Sequence, residues 1–161
     1  MRQRASVCNR VVLPLLFLIA TSATHTSAPR PKALAACSAV TAEDVHLALG
    51  IHFRRAGETA STCDYTAGNA QVSVSIQQLK APIDIAAEIA ALKLELPGST
   101  ARIVNSVGGE AFLLEIAGAG AQVHAIRGER DYVMISILGL GDADAVGPAA
   151  ERLARAALAR L

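Results

Sequence analysis

The nine residues QVSVSIQQL, 71–79, carry the clearest periodic signal in the chain. Val72, Val74 and Ile76 alternate with Ser73, Ser75 and Gln77. A period of two puts the branched apolar side chains on one face of a pleated strand and the polar ones on the other. One dry and one wet face is the pattern of an antiparallel sheet with one side on a core. Working back, residues 62–66 read as a strand with Cys63 and Tyr65 on one face. Gly68-Asn69 is the turn between the two strands. Residues 51–54 are expected as a short strand before them.

Downstream the period changes. Pro82 is expected in the first turn of a helix, where a missing N–H costs no hydrogen bond. Ile85, Ile89, Leu92 and Leu96 recur at helical spacing as one stripe, with Asp84, Glu88 and Glu95 on the solvated side. Pro97-Gly98 ends the helix. Strands then resume at 101–106, 111–116, 122–127 and 132–138, separated by Gly108-Gly109, Gly118-Ala119-Gly120 and Gly128-Glu129-Arg130. In the last strand Val133, Ile135 and Ile137 share a face, while Met134 and Leu138 keep the other face apolar. That marks a central strand covered on both sides.

Two more helices flank this set. The first spans 42–49, with Thr41 as N-cap, Asp44 completing a capping box and Gly50 as the stop. The last spans about 142–160. Asp142 and Asp144 suit its positive end, Arg155 and Arg160 its negative end, and Pro148 is expected to mark its first regular turn. The order is helix, two or three strands, helix, four strands, helix. Short glycine turns make antiparallel meanders, and only a sheet offers three amphipathic helices a large apolar partner. The expected class is α+β: an antiparallel β-sheet packed by helices as an α-β-α sandwich.

The N-terminal region has another character. Arg2, Arg4 and Arg10 precede the ten-residue run VVLPLLFLIA, 11–20, and small and polar residues follow. Ten residues fall short of the about 20 that a membrane-spanning helix needs. A basic flank, a short apolar run and a small-residue exit fit a cleaved secretory signal. The chain is therefore expected to divide into a signal and cleavage region at 1–28, a flexible spacer at 29–36 and a single α+β domain at 37–161. Export would place it in the periplasm or outside the cell.

Leu34-Ala35-Ala36-Cys37 resembles a lipobox, but sixteen residues separate Ala20 from Cys37, among them two prolines and two cations. A lipid-attachment peptidase reads its motif directly behind the apolar run, so this separation argues against a lipid anchor on Cys37. Removal of the signal removes Cys8 and leaves Cys37 and Cys63, an even pair in an oxidising compartment. A disulfide between them is the expected outcome.

The stretches CSAVTAEDVHLALG (37–50), CDY (63–65), SVGGEAF (106–112) and RGERDYVMISILG (127–139), with the terminal Ala/Arg/Leu helix, resemble a family of small bacterial secreted proteins and lipoproteins of unknown function. The wider group it is similar to is the PsbP/Mog1-like, or LpqN-like, α-β-α sandwich. The resemblance covers about residues 37–160. It implies a fold and a paired reading of Cys37 and Cys63, and it supplies no catalytic residues.

Function is less legible. After residue 28 twelve Lys/Arg face fourteen Asp/Glu, with no block of like charge, and the aromatics are only Phe53, Tyr65, Phe112 and Tyr132. Neither a phosphate-binding surface nor a base-stacking platform is indicated, so no nucleic-acid partner is expected. There is no G-x-S-x-G elbow, no complete dinucleotide fingerprint and no C-x-x-C pair. No catalytic residue, cofactor or metal is assigned. His46 and His52 straddle the end of the first helix, and with His124 they are more simply read as surface or half-buried side chains. The expected function is a non-catalytic extracytoplasmic binding or interaction module. Its partner would be a small molecule, a lipid or an envelope protein, and the wet strand face of Gln71, Ser73, Ser75 and Gln77 is the candidate surface. The alternatives are a secreted hydrolase using His and carboxylate groups, and an accessory subunit of an envelope complex.

Overall fold

The computed structural model describes residues 35–161. The signal reading of 1–28 and most of the spacer reading of 29–36 lie outside the described residues. The end of the spacer needs correction: Ala36 is completely buried and opens a one-turn helix, α1 (Ala36–Ala39). Ala36, Ala39 and Val40 pack with Cys37 in the core, so packing begins before Cys37.

The remaining elements are α2 (Ala42–Leu49), β1 (Arg54–Glu58), β2 (Thr62–Ala67), β3 (Ala70–Gln78), α3 (Ile85–Glu95), β4 (Thr100–Val104), β5 (Glu110–Ile116), β6 (Gly120–Arg127), β7 (Asp131–Leu138) and α4 (Ala143–Arg160). All seven strands form one antiparallel sheet in the order β1-β2-β3-β7-β6-β5-β4. The α+β class and its helix–strand order are those read from the sequence. β7 takes the central place its two apolar faces called for, pairing β3 through Val72↔Ile137 and Val74↔Ile135.

The sheet has two unlike faces. The first carries Cys63, Tyr65, Val72, Val74, Leu113, Val123, Ile135 and Ile137, which join residues of α1, α2 and α4 in one core. The capping box of α2 is formed as expected, with Thr41 and Asp44 exchanging hydrogen bonds. The Tyr65 hydroxyl donates to the Val40 carbonyl at 2.6 Å inside this core. Cys37 and Cys63 are joined in a disulfide whose Cα atoms lie 5.1 Å apart, stapling α1 to β2.

The second face is crossed by α3. Successive antiparallel pairings from β3 through β7, β6 and β5 make β3 and β4 run in the same direction, so their link must cross the sheet. Residues 79–99 form that crossover and contain α3. Ile85 and Ile89 of α3 line one cavity with Ile103 of β4.

Three boundaries and one burial pattern differ from the sequence reading. The first strand is not 51–54 but Arg54–Glu58, whose residues are mostly exposed. Its backbone pairing with β2 forms it, so no apolar alternation announces it. α3 starts at Ile85 rather than at Pro82, because Asp84 is its N-cap: the Asp84 carboxylate accepts from the N–H groups of Ala86 and Ala87 at 2.9 and 3.4 Å. α4 runs from Ala143 with Pro148 inside it, not at its start. Finally, α3 does not bury its stripe. Ile85, Ile89, Leu92 and Leu96 are half-buried, and no residue of α3 is fully buried.

Candidate ligand groove on the second sheet face

The second face divides by chemistry across its width. Toward β1 and β2 it is polar. Ser73 Oγ donates to Asp64 at 2.7 Å, Gln71 Nε2 donates to Ser73 Oγ at 3.1 Å, and Gln77 Nε2 reaches Ser75 Oγ at 3.4 Å. The four residues singled out as a candidate surface thus lie on one face, with Gln71 and Gln77 exposed, Ser73 half-buried and Ser75 buried. Their serine hydroxyls are engaged with neighbouring side chains.

In the middle of the face sits His124. Its Nδ1 shares a short hydrogen bond with the Tyr132 hydroxyl at 2.5 Å, its Nε2 lies 3.3 Å from Gln122 Oε1, and its ring stacks on Phe112 with centroids 4.6 Å apart. Gln122 continues to Ser136 at 3.4 Å. Burial disfavours the imidazolium and pushes His124 down to about 4. Burial, followed by the Glu88 charge, pushes the Tyr132 phenol up. A neutral imidazole held between a phenol and an amide, with an aromatic ring on its face, is a well-satisfied core histidine. Among its hydrogen bonds there is no Ser, Asp or Glu side chain that it could activate.

His46 and His52 do approach each other, as their spacing suggested. Their rings stack with centroids 3.8 Å apart and planes within 10°. Parallel stacking does not aim two ring nitrogens at one ion. Among the described residues no group of three or more His, Cys, Asp or Glu side chains could hold a metal.

Toward β4 the second face opens into a cavity of about 490 Å³. Ile85, Ala86 and Ile89 of α3 form one wall, and Ile103, Asn105, Gly109, Glu110 and Ala111 form the other. Ile103 is 57% exposed although it lies on a strand. Gly109 lets the wall close tightly, since a Cβ there would overlap the Ile126 carbonyl oxygen. The lining holds one carboxylate, Glu110, and no basic group. The groove is thus apolar with an acidic rim, of a size suited to a small ligand. Sequence reasoning missed it. The spacing of Ile85 and Ile89 predicts a buried stripe and the residues around Ile103 an ordinary strand; that the three line one groove depends on β4 being an edge strand, which is a property of strand order.

No protein-family model, curated protein or solved structure matches the chain.

Proposed function

We propose that this domain is a non-catalytic extracytoplasmic binding module whose ligand seats in the groove between α3 and β4. The carrying observation is the apolar cavity itself, roofed by a helix that buries none of its own residues completely. A helix that covers a sheet without sealing it leaves apolar area for a partner to bury. The Cys37–Cys63 disulfide supports the export reading, because such bonds persist in oxidising compartments. The two-sided helical layering supports the PsbP/Mog1-like reading of the fold. Among the described residues no helix is long and apolar enough to cross a membrane.

Thermal unfolding with 1-decanol as an apolar, uncharged probe tests the reading. A ligand at a hundred times its Kd stabilises the folded state by about 2.7 kcal/mol. Ile89→Trp should fill the groove and remove the response while leaving the sheet folded. If neither 1-decanol, nor envelope phospholipid, nor apolar peptides raise the midpoint of the wild-type protein, the reading fails.

A further inference from the structure

The two edges of the sheet are built differently. β1 is guarded: its register against β2 is broken by a bulge between Arg55 and Gly57, and it exposes Arg54, Arg55 and Glu58, the last two paired at 2.9 Å. Charges and bulges are the usual means of keeping an edge from pairing further. β4 has no bulge and carries one charge where β1 carries three. Its pairing with β5 is regular from Thr100 to Val104, and among the described residues no strand pairs with its other side. Its one charge, Arg102, lies on the first face, where Glu115 and Glu151 hold it at 3.7 and 3.0 Å. The outer side of β4 therefore offers backbone donors and acceptors that β5 does not use. Directly beside them, on the second face, Ile103 opens onto the groove.

An open edge next to an apolar slot is what strand addition requires: main-chain hydrogen bonds supply affinity, and pockets for alternate side chains supply selection. On the reading that the groove is the binding site, we infer that its ligand is an extended polypeptide segment that pairs with β4. Alternate side chains of that segment share a face, so its apolar residues at every second position enter the groove beside Ile103. The rim sets its charge. Glu110 lines the groove and no basic group answers it in the lining, so the segment carries Lys or Arg at the Glu110 end.

The probe is the octapeptide acetyl-Lys-Val-Thr-Val-Thr-Val-Thr-Lys-amide, titrated into the labelled domain by NMR. Saturable shifts are expected at 100–104 and along α3. Successive N–H groups of a strand point to opposite sides, so only alternate ones can bond β4. Of two analogues N-methylated on alternate residues, one should bind at least about tenfold more weakly and the other nearly as well as the parent. Ile103→Lys, which keeps an exposed position exposed, should weaken the parent peptide by a similar factor. Equal binding by both analogues, shifts confined to other elements, or no binding would overturn the inference. So would a dimer formed by the protein alone through β4, since a second copy would then be the occupant. Binding of 1-decanol that is lost in Ile89→Trp, with no peptide binding, would leave the groove reading standing and remove the strand.

Discussion

Arg160 grips Asp44 at two points, with Nη1 and Nη2 2.6 and 2.8 Å from the carboxylate oxygens, and the same guanidinium reaches the Ala39 carbonyl at 2.7 Å. Asp44 also accepts from the Thr41 N–H and hydroxyl. One ion pair thus ties the last turn of α4 to α1 and to the cap of α2. These bonds, with the one to Arg160 first, hold the Asp44 carboxyl well below the usual carboxylate range. A depressed carboxylate stabilises the fold fully above its unfolded value near 3.8 and loses that contribution as pH falls through the folded value. Asp44→Ala should therefore cost about 1–2 kcal/mol at neutral pH, most of it from the cap, because Arg160 is 40% exposed and screened. Below about pH 3 the difference from wild type should shrink in urea melts.

His124 should leave its mark in a different window. Its folded value lies at about 4 against 6.5 unfolded, so the unfolded chain takes up a proton first as pH falls. Its contribution to stability is complete above 6.5 and declines between 6.5 and 4, by up to about 3 kcal/mol. His124→Gln keeps a partner for Tyr132 and removes the titration. Its stability should be flat across that window where wild type slopes.

The disulfide closes a loop of 26 residues in sequence separation and is buried at both ends. Chain-entropy reasoning gives about 3.5 kcal/mol for such a loop. Cys37→Ala combined with Cys63→Ala should lower the unfolding free energy by about that amount. The intact protein should weigh two hydrogens less than its reduced form by mass spectrometry.

Tyr65→Phe removes the buried donor to the Val40 carbonyl without changing shape. The stranded carbonyl should cost about 1–2 kcal/mol in chemical denaturation, with no change in the pH profile between 4 and 7.

These expectations sort into what local sequence carries and what it does not. The alternation at Val72–Ile76, the capping box at Thr41 and Asp44, and the parity of Cys37 and Cys63 each depend on neighbours in the chain or on simple counting, and each is present in the structure. β1 lies outside the local signal because Arg54–Glu58 owes its conformation to backbone pairing with β2 and not to its own side chains. α3 was expected to be sealed because its apolar spacing is regular. How much of a helical stripe is covered depends on where the crossover lands, and here it lands over a sheet edge. The groove follows from strand order and the landing of the crossover, which bring residues of α3, β4, the β4–β5 connection and the start of β5 together at the β4 edge.

Amide hydrogen exchange along α3 tests the central claim most directly. A helix with no fully buried residue is held by few contacts and opens locally at low cost. In the unliganded protein the amides of Ile85–Glu95 should exchange well before those of β3 and β7, and saturating octapeptide or 1-decanol should slow them selectively. Protection of α3 equal to that of β3 and β7, unchanged by either probe, would contradict the account of an open, bindable groove.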